Sequence, residues 1–359
     1  MSKKLKVGII GCGGIAENKH LPSIAGIKEA EVTAFCDNIP ERAEILCKQF
    51  GAEGAKTYTD YRELIKDTSI DVVHVCTPNR SHSPITVDSL EAGKHVMCEK
   101  PMAVSFAEAK KMTDAAKKTG KLLTIGYQYR CMPAPLYLKK VCERGDLGEI
   151  YYAKAHALRR RGVPTWGVFL NEKEQGGGPL IDIGTHALDL TLWMMDNYKP
   201  KSVTGSIYKK LGGKPDCGNI FGPWEPKEFT VEDSAFGFIS MENGATIILE
   251  ASWALNTLDE GEGFCTLCGT KAGADMKDGL RINSDDLGKF TVSKPDLSVG
   301  GVQFYEGASM KPEDIECRNW YDAILNGTEL RVKPEQAMVV TQILEGIYES
   351  ARTGKQIYF

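Results

Sequence analysis

The sequence predicts an α/β protein in which a doubly wound parallel sheet is followed by an α+β domain built on a mostly antiparallel sheet. Three observations point there. Short apolar runs alternate with amphipathic helical patterns through the first 125 residues; a glycine-rich turn, GCGGIA at 11–16, directly follows the first run; and beyond residue 128 strand patterns dominate. Alternating strand and helix signals imply a parallel sheet covered on both faces. A chain of 359 residues is also long for one core and suits two domains.

In the first domain, placed at 1–127, strands are expected at 6–10, 31–36, 72–76, 95–98 and 122–125. Helices are expected near 40–50, 59–66, 82–92 and 105–119, with charged outer faces such as Glu108, Lys110, Lys111 and Asp114. The second domain, 128–359, begins with a helix near 133–144 and a strand at 149–158. The segment EDSAFGFISMENGATIILEASW reads as a hairpin turning at Asn243 and Gly244. Stretches 210–230 and 295–312 are rich in Gly and Pro and read as long loops or lids. Two amphipathic helices, 312–326 and 334–352, close the chain and can pack on either domain.

Composition narrows the partners. Lys and Arg number 44 against 48 Asp and Glu, a net charge of −4, so no electrostatic ground exists for nucleic acid or an anionic membrane. The first ten residues carry lysines and a short apolar run with no small-residue cleavage site, and read as a strand instead of a signal peptide. No stretch approaches the roughly 20 apolar residues of a membrane span. The 11 cysteines are scattered and odd in number, which suits reduced thiols and a cytoplasmic protein. Cys265 and Cys268 have CxxC spacing but lack a second pair or a nearby His, so they read as strand residues, and no metal site is expected.

GCGGIA matches GxGxxA, and its context gives it weight: a strand before, a helix after, and Asp37 ending the next strand at the required distance. Gly11 makes the tight turn, Gly13 lets the backbone approach a diphosphate, Gly14 and Ile15 continue the loop, and Ala16 permits close helix packing. Helix N–H groups meet the diphosphate. The Asp37 carboxylate suits a ribose 2′-OH and repels a 2′-phosphate, which favours NAD over NADP, with Arg42 near enough to soften the repulsion. Two further segments leave the carboxyl ends of later strands, where open α/β sheets bind ligands. These are CTPNRSH, with Thr77, Pro78, Asn79 and His82, and CEKP, with Glu99 and Lys100.

A second cluster lies in GGGPLIDIGTHALD, residues 176–189. Residues three and four apart are helix neighbours, so Asp182, His186 and Asp189 share one face of an otherwise apolar helix. Burying a carboxylate and an imidazole without partners costs several kcal/mol. The stripe is therefore satisfied internally or lines a cleft, and Asp189 reads either as a structural residue or as a partner for a backbone group or substrate hydroxyl.

Taken together, GCGGIA, Asp37, CTPNRSH, EKP at 99–101, GYQYR at 126–130 and the glycine-rich DxxxH segment resemble the Gfo/Idh/MocA family of glucose-fructose oxidoreductases and inositol dehydrogenases. The resemblance covers essentially the whole chain. It implies an N-terminal Rossmann domain, a C-terminal domain on a large open sheet, and oxidation or reduction at a sugar or cyclitol carbon. It implies Lys100, Asp182 and His186 as the catalytic set and a cis bond between Lys100 and Pro101. His186 suits the base and Lys100 the donor to the reacting oxygen, though the sequence leaves open which takes the proton. Asp182 orients the ring or binds a substrate hydroxyl. Tyr127, Gln128 and Arg130 leave the last strand, and Gln128 is a candidate contact to the cofactor. The loop RRRGVPTWGVF at 159–169 resembles those of relatives that oxidise the C3 hydroxyl of a glucosyl unit, with Trp166 as a wall for the sugar ring and Arg159 or Arg160 for a hydroxyl or phosphate. Consecutive arginines otherwise read as solvated surface.

The expected activity is hydride transfer between NAD and a hydroxyl-bearing carbon of a sugar, glucoside or cyclitol. Rivals are an inositol dehydrogenase, a glycoside-cleaving enzyme that recycles NAD, and a silent NAD sensor. An exposed face of the large sheet is the natural surface for homo-oligomer formation.

Overall fold

The computed structural model describes residues 4–214, 216–297 and 310–359. The chain divides into two compact units, one of residues 1–131 with 309–338 and the other of 132–308 with 339–359. Strands β1 (Leu5–Ile10), β2 (Ala30–Cys36), β3 (Lys56–Tyr58), β4 (Val72–Val75), β5 (His95–Cys98) and β6 (Leu123–Ile125) form a six-stranded sheet in the order 3-2-1-4-5-6, parallel throughout. That is the dinucleotide-binding order, with its switch point between β1 and β4. Helices α1 (Leu21–Ala25), α2 (Pro40–Phe50), α3 (Tyr61–Lys66), α4 (His82–Glu91) and α5 (Phe106–Thr119) alternate with the strands. Helix α5 shows how locally this is specified: the Ser105 hydroxyl accepts the Glu108 N–H at its start, and Gly120, at φ 68°, ends it.

Strand β3 was not expected. Its three residues, KTY, carry no apolar run, because an edge strand over an exposed flank has only one neighbour to satisfy. The helix expected after the glycine loop is also modified, running as a π-helical turn over Ala16–His20 before α1.

The second unit opens with α6 (Pro133–Glu143), β7 (Ile150–Leu158), α7 (Glu172–Gln175) and α8 (Thr185–Met195). Its sheet is completed by β8 (Pro200–Tyr208), β9 (Ser234–Met241), β10 (Thr246–Ser252), β11 (Gly261–Gly269), β12 (Gly273–Asp275), β13 (Arg281–Asp286) and β14 (Lys289–Ser293). Helices α9 (Pro312–Asn326) and α10 (Pro334–Thr353) and strand β15 (Ile357–Tyr358) follow. The nine strands lie in the order 14-13-12-11-7-10-9-8-15. All neighbours are antiparallel except β7 and β10, so the long connection between those two inserts one parallel pair into the expected antiparallel sheet. The β9–β10 hairpin turns at Asn243 and Gly244 as the sequence predicts, Gly244 at φ 89°. Strands β12 to β14 have no apolar run to announce them; Phe290 is 99% exposed. The expected loop at 210–230 is present apart from a short helical turn at Pro226–Glu228, whereas most of the one at 295–312 lies outside the described residues.

Helix α9 belongs to the first unit, where Trp320 and Tyr321 join Val7, Ile9, Phe35 and Met97 in one core. In the second unit, Ala153, Ala155 and Ala157 of β7 are fully buried and present a flat, small-residue surface on which α8 packs. The opposite face carries Lys154, Phe236, Phe238 and Ile248, half-buried or exposed. Ile347 of α10 covers Gly205 of β8 and Gly237 of β9, where an added Cβ would stand 2.6 Å from its side chain. At Gly205 the α10 backbone also lies within 3.1 Å, so a Gly205→Val variant should lose about 1–3 kcal/mol of stability, read as a lower denaturant midpoint.

Candidate active site

In the first unit the glycine loop is shaped as a cradle. Gly11 sits at φ 92°, and a Cβ there would strike the Cys76 carbonyl carbon at 2.6 Å, so only glycine fits between β1 and β4. Gly13 has nothing within 4 Å of its would-be Cβ, which leaves open the side on which a diphosphate would approach. Asp37 ends β2 with its carboxylate accepting the Cys12 N–H at 2.8 Å and the Ile39 N–H at 2.9 Å. One side chain thus ties the glycine loop to the entry of α2. These features fit a dinucleotide. Gly14 and Ile15 are exposed at the loop's outer edge, as is Arg42 on α2.

Thr77, Pro78 and Asn79 follow β4, Asn79 opening a 3-10 turn into α4. His82 and Glu99, expected to face the cofactor, have close protein partners. The His82 ring lies between two backbone carbonyls, with Nδ1 2.8 Å from Pro101 O and Nε2 2.8 Å from Thr77 O, and in the neutral form that burial favours it donates its one N–H to one of them. The Lys100–Pro101 bond is cis. Glu99 is 5% exposed, with Oε1 taking Lys19 Nζ at 2.6 Å and His20 Nε2 at 2.8 Å, and Oε2 taking the Lys100 N–H at 3.2 Å. Gln128 Oε1 lies 3.5 Å from the same Lys19 ammonium. Both sets of contacts have one cause: a polar side chain at a buried strand end needs hydrogen-bond partners.

In the second unit, Asp182 lies in a π-helical turn, Leu180–Gly184, that runs directly into α8, where His186 is the second residue. The sequence pattern alone reads as one α-helix; the wider turn adjusts the stripe where the glycines allow close packing. Asp182 Oδ2 accepts the indole N–H of the fully buried Trp253 at 3.1 Å. Asp189 is 1% exposed.

The start of this segment is held by Glu232, a residue that sequence reasoning missed. Its carboxylate accepts the Gly178 N–H at 2.9 Å, the Leu180 N–H at 3.1 Å and the Tyr348 hydroxyl at 2.8 Å. Burial pushes its pKa up, against the pull of the N–H and hydroxyl donors. The glycines make this approach possible, since a Cβ at Gly178 would stand 2.3 Å from the Glu232 carbonyl oxygen and one at Gly177 would overlap the Tyr348 hydroxyl. The signal was present in GGG, but its partner lies far along the chain.

Trp253 also ends a chain of edge-to-face aromatic contacts through Phe169 to Trp166, which meets Phe221 at 5.0 Å between centroids. Trp166 is 53% exposed, an aromatic surface joined by packing to the residue that holds Asp182. Arg159 is committed elsewhere: it forms a two-pronged ion pair with Glu262 at 2.5 and 2.9 Å and donates to the Gly162 carbonyl. The arginine run is therefore only partly solvated, with Arg161 bonded to Asn256 and the Leu255 carbonyl. Cys265 and Cys268 are both residues of β11, and among the described residues no cluster suited to a metal occurs.

A parallel sheet in this strand order, a glycine cradle and an acidic residue at the end of β2 define a dinucleotide-binding oxidoreductase fold. Residues 5–127 match the oxidoreductase family's NAD-binding Rossmann fold and residues 139–359 its C-terminal alpha/beta domain. The chain belongs to the Gfo/Idh/MocA family and is an NAD-binding oxidoreductase. It is 36% identical to the D-glucoside 3-dehydrogenase of Escherichia coli K12, over 99% of this chain and 98% of that one. It is 29% identical to the levoglucosan dehydrogenase of Pseudarthrobacter phenanthrenivorans over 70% of this chain and 68% of that one. A levoglucosan dehydrogenase solved with NADH and levoglucosan superposes with a TM-score of 0.82 at 24% identity, covering 99% of each chain, a likeness of fold. Among the described residues no helix is long and apolar enough to cross a membrane.

Glu232→Gln turns an amide NH2 toward groups that themselves donate, so about 1–3 kcal/mol of stability should be lost. In the same variant kcat should fall as the DxxxH segment loosens, read by denaturant titration alongside steady-state kinetics.

Proposed function

We propose that the protein is an NAD-dependent dehydrogenase acting on a pyranoside hydroxyl, with C3 of a glucosyl unit favoured and a keto sugar as product. The observation that carries this reading is the 36% identity, over essentially full length, to a D-glucoside 3-dehydrogenase. Catalytic roles fall to Lys100, Asp182 and His186. NAD, when bound, supplies the hydride acceptor, and Gly11, Gly13 and Asp37 are the residues that would hold it. His186 takes the proton of the reacting hydroxyl at its imidazole, a base suited to neutral pH. The Lys100 ammonium donates to the oxygen as it becomes a carbonyl, stabilising alkoxide character. Asp182, steadied by the Trp253 N–H, accepts from a neighbouring sugar hydroxyl, and the exposed Trp166 stacks against the C–H face of the ring.

Incubating the protein with NAD and a panel of glucosides, free sugars and inositols, with products followed by NMR, tests the reading. A 3-keto glucoside formed with an equal amount of NADH supports it. Aglycone release without net NADH, or oxidation of inositol alone, refutes it in favour of a rival. Lys100→Ala and His186→Ala should each lower kcat by about 10²- to 10⁴-fold. Turnover near the wild-type rate in both would remove them from the chemistry.

We also propose that copies of the chain pair through the uncovered face of the nine-stranded sheet, where Phe238 is 51% exposed and Phe236 and Ile248 are half-buried. Light scattering should show an oligomer that Phe238→Glu shifts toward monomer; an unchanged mass would place the interface elsewhere.

A further inference from the structure

Behind the EKP segment the first unit buries a connected set of polar side chains drawn from four parts of the chain. Lys19 and His20 follow the glycine loop, His74 lies in β4, Glu99 just follows β5, and Glu316 and Tyr321 come from α9. Lys19 Nζ stands 2.6 Å from Glu99 and 2.9 Å from Glu316. From the other side, His20 Nε2 meets Glu99 at 2.8 Å, His20 Nδ1 meets His74 Nδ1 at 2.8 Å, and His74 Nε2 meets the Tyr321 hydroxyl at 3.1 Å. Gly126 keeps the space open, since a Cβ there would stand 2.9 Å from Glu99 Oε1 and 3.2 Å from Lys19 Nζ.

The chemistry fixes every proton in this chain. Although burial opposes its charge, Lys19 and His20 hold Glu99 well below the usual carboxylate range, so it is ionised and can only accept. Burial keeps both imidazoles neutral, with one N–H each. His20 must therefore donate from Nε2 to Glu99 and accept at Nδ1. His74 must then donate from Nδ1 and accept at Nε2 from the Tyr321 hydroxyl, which burial keeps protonated. The result is a one-way run of donors from α9 to Glu99, whose other oxygen takes the main-chain N–H of Lys100.

We propose that Glu99 is the positioning residue for Lys100, set by the Tyr321–His74–His20 chain on one side and by the Lys19–Glu316 pair on the other. This rests on the reading that Lys100 is catalytic. The pair gives the arrangement a pH dependence. Neither oxygen of Glu316 receives a well-aligned hydrogen bond, and burial together with the Glu99 charge lifts its pKa to about 7 against the pull of Lys19. The other titratable groups that face it are Glu313 on its own helix and the thiols of Cys317 and Cys131, which burial keeps protonated. As Glu316 loses its proton the cluster around Glu99 changes from neutral to one net negative charge.

Three measurements test this. Long-range nitrogen NMR of the intact protein, with His20 and His74 assigned by substitution among its six histidines, should show Nε2–H at His20 and Nδ1–H at His74 between about pH 6 and 9. Glu99→Gln should lower kcat by about 10- to 100-fold with KM little changed. Glu316→Gln should remove a step in the kcat profile near pH 7, where the Glu316 proton is lost. The opposite tautomers, a His20 that protonates in that range, a Glu99→Gln kcat within about twofold of wild type, or a Glu316→Gln profile that superimposes on wild type would each overturn the proposal. If Lys100→Ala itself leaves turnover intact, the catalytic reading has failed, an outcome the tautomer measurement does not share.

Discussion

An ionised carboxylate with almost no solvent is the constraint around which the first unit is arranged. Glu99 is retained in charged form only because an ammonium and an imidazole N–H converge on one of its oxygens and a main-chain N–H on the other. Removing one partner of such a buried pair typically costs about 3–5 kcal/mol, because the remaining charge is stranded. Helix α9 belongs to this unit as well. It delivers Glu316 and Tyr321 to the far ends of the two arms, along with Trp320 for the core. The sheet thereby presents Lys100 from a segment whose backbone is held from behind.

The second unit repeats the device with different parts. Glu232 receives two N–H groups at the head of the DxxxH segment and the hydroxyl of Tyr348 from α10, so here too a buried carboxylate ties a functional segment to a terminal helix. Trp253 then fixes Asp182 from the adjacent strand end. In both units the segments carrying the groups assigned to chemistry are tied by buried carboxylates, which serves the precise placement of reacting groups.

Much of this was legible in the sequence where the signal is local. The glycine loop, Asp37, the parallel strands and the hairpin at Asn243 each depend on residues a few positions apart, and all appear as expected. Spacing alone put Asp182 and His186 on one helical stripe, and a π-helical turn carries the first. What escaped was long-range or inverted. The contacts Glu232–Gly178 and His74–Tyr321 join positions far apart in sequence. Glu99 and His82 looked like groups offered to a ligand, because a polar residue at a strand end carries no mark of which way its partners lie. Strands β3 and β13 lacked the apolar alternation by which strands announce themselves, and edge strand β14 carries it over only five residues.

The central proposal is hydride removal from a sugar carbon, with Lys100, Asp182 and His186 assigned to the chemistry. It is tested most directly with a methyl glucoside deuterated at C3 and NAD, by mass spectrometry of the nicotinamide product. The account predicts one deuterium in the reduced nicotinamide and a 3-ketone free of label, with label transfer suppressed in His186→Ala. Reduced nicotinamide without label, or a ketone that retains deuterium at C3, would contradict it.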